Sequence, residues 1–211
     1  MRPKLLDLFC GAGGCAMGYH RAGFDVVGVD INPQPRYPFK FIQADAMTFP
    51  LDGFDVIHAS PPCQAYSRSR NNGMVKDSPR LIHLVRERLI LTGKPFVIEN
   101  VEGAPLHFPV LICGASFGLG TGDMQLSRHR IFESSHLILV PPCIHKRGKT
   151  IGVYGNGTNS WHRERIGRNI KESEKREAMG IDWMNRKELT QAIPPAYTEW
   201  IGRRIMEATA K

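Results

Sequence analysis

Short apolar runs divided by glycine, proline and polar clusters dominate the first half of the chain. Leu5, Leu6, Leu8 and Phe9 form one such run, a predicted strand that ends at Gly11-Ala12-Gly13-Gly14; Ala16, Met17, Tyr19 and Ala22 then suggest a helix stopped by Gly23. Val26-Val27-Gly28-Val29 reads as a second buried strand closed by Asp30, and Asn32-Pro33-Gln34-Pro35 opens a loop, so this stretch is a βαβ unit. Phe54 to Ala59 predicts a third strand, ended by Pro61-Pro62 because proline has no N–H for a ladder. Leu81, Leu84, Val85, Leu89 and Ile90 form a helical stripe, with Gly93 ending it before a strand at Pro95-Phe96-Val97-Ile98. Alternating strands and helices imply an α/β fold with a mostly parallel sheet. The pattern breaks from Pro141: Cys143 to Arg168 is rich in glycine, basic residues and turn formers, and only Ile151 to Tyr154 suggests a strand. Helical periodicity returns around Glu172 to Met179, and again from Tyr197 to Ala208 after the helix-breaking Pro194-Pro195.

A length of 211 residues fits one domain with a modest appendage. The net charge of +8 favours an anionic partner such as nucleic acid. No apolar run approaches the ~20 residues needed to span a bilayer, and Met1-Arg2-Pro3-Lys4 leads straight into the first strand, so no membrane partner and a cytoplasmic location are expected. The five cysteines are an odd number without a Cys-x-x-Cys pair, which suggests free thiols rather than a disulfide framework or zinc ribbon. Cys143 and His145 are close in sequence, with His136 and His162 within reach, but this spacing matches zinc patterns poorly and no metal is expected.

The glycine cluster satisfies a loose nucleotide-binding fingerprint, and Asp30 at the end of the second strand is placed to accept ribose hydroxyls. These residues alone leave a dinucleotide and S-adenosylmethionine equally open. Further motifs narrow the choice. Asp7-Leu8-Phe9-Cys10-Gly11-Ala12-Gly13-Gly14, Val29-Asp30, Ala44-Asp45-Ala46, Pro61-Pro62-Cys63-Gln64, Glu99-Asn100-Val101, Arg128-His129-Arg130 and Ile193-Pro194-Pro195-Ala196 resemble, in order and spacing, the motifs of cytosine-5 DNA methyltransferases. The resemblance spans nearly the whole chain and is strongest to small phage-type or prophage-type members.

The resemblance implies a Rossmann-like S-adenosylmethionine-dependent methyltransferase fold, its mostly parallel sheet flanked by helices and carrying a small target-recognition insertion. Residues 1–133 would form the catalytic and cofactor-binding core, 134–172 a reduced target-recognition insertion, and 173–211 a C-terminal part returning to the core. Cys63 would add to carbon 6 of a flipped cytosine, with Glu99 supporting protonation of the ring, Arg130 holding the base carbonyl and Arg128 orienting the loop or a phosphate. Arg128 and Arg130 would also favour the Cys63 thiolate. S-adenosyl-L-methionine would lie against Phe9, Gly11, Gly13, Asp30, Ile31, Asp45 and Pro62. Double-stranded DNA is the expected partner of a monomer, with Gln64, Ser67, Arg68, Arg70, Arg147, Lys149, Trp161, Arg163 and Arg165 along it.

Two positions depart from the family pattern. Leu126 stands where the arginine motif usually has glutamine, with Gln125 one residue earlier, and Gln191 lies where the late proline motif usually begins with Gly-Asn. RNA as the polymer, a non-catalytic nucleic-acid-binding protein and a nicotinamide dehydrogenase are the alternative readings.

Overall fold

The computed structural model describes residues 1–66, 79–146, 149–154 and 167–209. Its main sheet has seven strands in the order β3-β2-β1-β4-β5-β9-β6. The strands β1 (Lys4–Leu8), β2 (Asp25–Asp30), β3 (Lys40–Gln43), β4 (Val56–Ala59) and β5 (Phe96–Asn100) run parallel. Beyond them β9 (Arg130–Ser134) pairs antiparallel with both β5 and β6 (Val110–Ile112). This is the expected α/β architecture, with β3 and the hairpin edge added where the sequence shows no clear alternation.

Strands β1, β2, β4 and β5 are buried on both faces, which is why they read as unbroken apolar runs. Leu5, Val26 and Val97 face one core, with helix α1 (Gly14–Ala22) and the last helix, while Leu6, Leu8, Ile57 and Ile98 face another with helix α2 (Ile82–Leu91). The buried fork of Arg86 on α2 grips Glu133 on β9 through two contacts of 2.7 Å, tying that helix to the antiparallel edge.

A smaller sheet, ordered β10-β8-β7, is built from β7 (Gly120–Thr121), β8 (Met124–Leu126) and β10 (Thr150–Ile151). It shares a third core with α3 (Glu172–Met179) and α4 (Arg186–Gln191), through Leu126, Ile151, Met179 and Leu189. Helix α5 (Pro195–Thr209) then packs against α1. Pro195 opens α5 rather than breaking it, since the first helical turn needs no proline N–H. The crossing of α1 and α5 requires glycine at position 18: a Cβ there would lie 2.1 Å from both the Pro195 carbonyl and the Thr198 hydroxyl. Among the described residues, no helix is long and apolar enough to cross a membrane.

Candidate active site

The chemistry gathers at the carboxyl ends of the parallel strands, where an open α/β sheet presents its loops. β1 ends at Leu8, β2 at Asp30, β4 at Ala59 and β5 at Asn100. Four of the sequence motifs therefore meet on one rim.

Cys63 is half-buried on the loop that follows β4. Pro61 and Pro62 bring no N–H, so this loop needs another anchor, and Asn100 supplies it by donating from Nδ2 to the Pro61 carbonyl at 2.9 Å. The Asn100 carbonyl oxygen in turn accepts from the Val101 N–H at 2.9 Å, which fixes the amide's orientation. The turn closes with the Tyr66 N–H donating to the Cys63 carbonyl at 2.9 Å. The middle residue of Glu99-Asn100-Val101 thus positions the Cys63 loop, a role not expected from the motif. Its placement within the motif was the available signal.

Glu99 is buried beside Cys63 on the adjacent strand, and Arg130 at the start of β9 approaches it with Nε 3.2 Å from Oε1. Burial raises the Glu99 carboxyl above its ordinary range, opposed by Arg130, a hydrogen bond from Ser60, and Arg128. Burial also raises the Cys63 thiol, and Glu99 adds to this, while Arg130 and Arg128 act against it. Both arginines act in the expected direction, toward the Cys63 anion, but desolvation and Glu99 outweigh them and the thiol is raised overall.

Ser60 connects Glu99 to a buried polar chain. His58 Nε2 lies 2.9 Å from the Ser60 hydroxyl, and His58 Nδ1 lies 3.0 Å from the Tyr19 hydroxyl. Burial lowers His58 to about 3, so it is neutral at ordinary pH. One assignment satisfies the chain: Tyr19 donates to His58 Nδ1, His58 donates from Nε2 to Ser60, and Ser60 donates to Glu99. No motif spacing signals this relay from α1.

Arg128 is fully buried, which corrects its expected contact with a phosphate. Its guanidinium donates to the carbonyls of Val153 and, at 3.0 Å, Thr190, and it lies over the Tyr154 ring. The Tyr197 hydroxyl donates to the Arg128 carbonyl at 2.5 Å. Burial lowers Arg128 to about 9, and the neighbouring charge of Arg130 adds to this. Arg128 therefore clamps the small sheet, α4 and α5 behind Arg130. Leu126 is also buried in the third core, while the Gln125 side chain accepts from the Lys146 N–H at 2.7 Å. Glutamine at 125 is thus used within the small sheet. Gln191, the other departure, is exposed at the end of α4.

At the other end of the rim, the Asp30 carboxylate accepts the Gly11 N–H at 3.1 Å on Oδ2 and the Asn32 N–H at 2.9 Å on Oδ1, and each oxygen keeps a lone pair for a hydroxyl. Ile31 beside it is 65% exposed, unusual for isoleucine and suited to a flat apolar ring. Asp45 is exposed just beyond β3, with Oδ1 accepting the Met47 N–H at 2.8 Å. Phe9 has a positive φ of 57°, a backbone conformation uncommon for a bulky residue, and its ring is partly buried against the second core. Pro62 is half-buried immediately before Cys63.

The two fingerprint glycines differ. A Cβ at Gly11 would meet nothing within 4 Å, so that side of the turn is open, whereas one at Gly13 would lie 2.7 Å from Pro38 Cδ and 3.0 Å from the Tyr37 ring. Gly13, at φ 84°, serves the turn into α1 and its packing against Tyr37 and Pro38. The Trp183 indole donates to the Ala12 carbonyl at 2.9 Å, pinning the same turn from the far end of the chain. An open glycine, a carboxylate with free lone pairs, an exposed apolar side chain and a second carboxylate form a donor set that fits an adenosine-bearing group.

Among the expected nucleic-acid contacts, Gln64 is exposed beside Cys63, and Lys149 is exposed and paired with Asp123 at 2.7 Å. Ser67, Arg68, Arg70, Arg147, Trp161, Arg163 and Arg165 lie outside the described residues.

Comparison with known proteins identifies the group to which these motifs belong. Residues 3–107 match the family model described as C-5 cytosine-specific DNA methylase. The chain is 34% identical over 129 residues to the Type II methyltransferase M.AquIA of Picosynechococcus, covering 49% of this chain and 50% of that protein. It is 32% identical over 122 residues to the Type II methyltransferase M.XorII of Xanthomonas oryzae, covering 48% of this chain and 29% of that one. The chain thus spans half or less of the length of these curated relatives. A prophage-encoded candidate DNA modification methyltransferase from E. coli shares the fold with a TM-score of 0.65 at 15% identity, over 99% of this chain and 100% of that one. The Dnmt2 methyltransferase of S. pombe does so with a TM-score of 0.64 at 13% identity, over 98% and 99% of the two chains. With its motifs in family order, residues 3–107 matching the family model, and the other strands and helices completing a shared fold, the chain belongs to the C-5 cytosine-specific DNA methylase family.

Proposed function

We propose that this chain methylates carbon 5 of cytosine in double-stranded DNA through a covalent bond from Cys63. The observation that supports this best is the meeting of Cys63, Glu99 and Arg130 on neighbouring strand ends, with Asn100 holding the nucleophile loop. Carbon 5 of cytosine is a weak nucleophile within an aromatic ring. Addition of the Cys63 sulfur to carbon 6 converts the C5–C6 bond into part of an enamine, whose carbon 5 can attack a methyl group.

The raised Glu99 carboxyl keeps its proton more readily than an ordinary carboxylate, and a proton delivered from it to the ring nitrogen offsets charge as sulfur adds. Arg130 uses Nε toward Glu99 and Nη1 toward the His129 carbonyl, at 2.8 Å, leaving Nη2 to hold the base carbonyl. Bound S-adenosyl-L-methionine would supply an electrophilic sulfonium methyl. Asp30 would hold its ribose, Asp45 the adenine amine and Ile31 the adenine face, beside the open turn at Gly11. Loss of the carbon 5 proton then expels the Cys63 sulfur and restores the aromatic ring.

Burial raises both the thiol and the carboxyl, which suits a site that becomes active only when a base enters. A stacked cytosine exposes neither face to sulfur, so the base must leave the helix. Residues 134–172 are proposed as the reduced insertion that chooses the target.

The test is trapping on duplex DNA carrying 5-fluorocytosine, in which fluorine replaces the proton needed for elimination. With saturating cofactor, wild-type protein should form an adduct that survives denaturation, and Cys63→Ser should not. No wild-type adduct on any fluorocytosine-substituted duplex overturns the proposal. Preferential methyl transfer to tRNA in a direct competition would move the substrate to RNA while leaving the chemistry intact.

A further inference from the structure

Four potential metal-ligand atoms converge behind the arginine pair. Cys113 is fully buried just after β6, His129 lies between Arg128 and Arg130, and Cys143 and His145 follow β9. His145 Nε2 lies 3.4 Å from Cys113 Sγ, 3.1 Å from Cys143 Sγ and 3.1 Å from His129 Nε2, which is itself 3.3 Å from Cys143 Sγ. All four ligand atoms lie within 4.8 Å of one another. Among the described residues, no other group of three or more histidine, cysteine or acidic side chains converges in this way.

We propose that Cys113, His129, Cys143 and His145 bind one structural zinc ion. Zinc–sulfur bonds of about 2.3 Å and zinc–nitrogen bonds of about 2.0 Å make a tetrahedron with edges of roughly 3.3–3.8 Å. The four separations given above, 3.1–3.4 Å, lie close to those edges, and the remaining pairs are within 4.8 Å. A fourth observation fixes the direction of one ligand: His129 Nδ1 lies 3.2 Å from Glu102 Oε1. An Nδ1–H donated to that carboxylate leaves the Nε2 lone pair pointing into the cluster, the usual arrangement around a metal-bound histidine.

Protons can pair the cluster only piecewise. The Cys113 thiol can turn to the Leu126 carbonyl at 3.6 Å, and a proton on His145 Nε2 can then reach His129 Nε2 at 3.1 Å, one contact among the four atoms at a time. A single cation satisfies all four lone pairs at once. Two thiolates and two neutral imidazoles balance a divalent zinc, and four protein ligands close the site to water, which marks it as structural rather than catalytic.

The spacing hid this site. Antiparallel pairing sets Ile112 opposite Arg130, so that Cys113 and His129 are neighbours across the strands although far apart in sequence. The second pair is the Cys143 and His145 already noticed in the sequence, but its partners among the described residues are these two rather than His136, and His162 lies outside the described residues. Because Arg130 donates from Nη1 to the His129 carbonyl, the ion would also brace the backbone between the two arginines.

Elemental analysis of the full chain, purified without a histidine tag or chelator, should give one zinc per chain. Exchange of zinc for cobalt should produce the visible bands of tetrahedral cobalt with a thiolate-to-cobalt charge-transfer band. Cys143→Ser and His145→Ala should lose the metal, whereas His136→Ala and Cys63→Ser should retain it. Retention in Cys63→Ser makes the result independent of methyl transfer. Wild-type protein with no bound zinc and no cobalt spectrum overturns the proposal, as does a Cys113–Cys143 disulfide found by mass spectrometry of freshly purified protein.

Discussion

The strand ends of β1, β2, β4 and β5 and the region from β6 to α5 hold polar groups by different means. In the first, each functional residue sits within a short contiguous motif, and its geometry follows from the strand it terminates: Asp30 ends β2, Cys63 lies just beyond β4 and Glu99 lies near the end of β5. In the second, single side chains reach across large sequence separations: Arg128 bonds to Val153 and Thr190, and His129 meets Cys113, Cys143 and His145. A parallel sheet makes local sequence sufficient for placing a residue on its rim. A region with little regular secondary structure depends on buried polar contacts or, as proposed above, a metal.

Substitutions can break this contrast. The largest stability effect is expected where the two regions press together: Gly18→Ala forces a Cβ against the backbone of α5 and should cost about 3 kcal/mol or more, lowering the midpoint of urea unfolding. An unchanged midpoint would mean that α1 and α5 can separate without loss, and the regions would be less interdependent than described.

Asp7 tests the strand-end region alone. It is buried beneath the glycine turn, one carboxylate oxygen lacks a partner, and burial raises its pKa to about 8. The folded pKa lies above the unfolded one, so the associated stability is full below about pH 4 and is lost as pH rises through about 8. Asp7→Asn should therefore flatten the fall in unfolding free energy between pH 5 and pH 8, by up to about 1.4 kcal/mol per pH unit, read as a shallower fall in melting temperature. Parallel melting curves for the two proteins across this range would place the proton elsewhere.

Arg128→Met tests the other region. It removes a buried cation and leaves the Val153 and Thr190 carbonyls without that donor, for an expected loss of about 2 kcal/mol. Hydrogen exchange should rise most at β8, β10 and α4; a uniform rise would mean that Arg128 supports the whole fold. The smallest expected effect is that of Asn100→Ala, about 1 kcal/mol of stability from one lost hydrogen bond. Its informative readout is methyl transfer, expected to fall about tenfold with cofactor affinity unchanged, since the Cys63 loop loses its anchor. Equal losses in both would make Asn100 a support of the entire rim.

The order of β1, α1, β2, β4, α2 and β5 was legible because doubly buried parallel strands leave apolar runs and glycine leaves its mark at turns. Cys63, Glu99, Asp30 and the open turn at Gly11 were legible for the same reason, each lying in a motif whose spacing follows the strand. The β6 edge and most of the small sheet were not, apart from the strand expected at Ile151 to Tyr154 that overlaps β10, because β6, β7, β8 and β10 are only two or three residues long and carry too few positions for a period to appear.

What the sequence determined by itself was the family of the chain, the rim of the parallel sheet and the place of Cys63 on it, since these depend on residues near one another in sequence. Tertiary structure alone decided that Arg128 is a buried clamp rather than a phosphate contact, that Asn100 anchors the Cys63 loop and that Tyr19 reaches Glu99 through His58 and Ser60. It also brought Cys113 and His129 to Cys143 and His145. Each of these depends on burial and on distances across the chain, and a side chain's desolvation and partners come into existence only when distant segments pack.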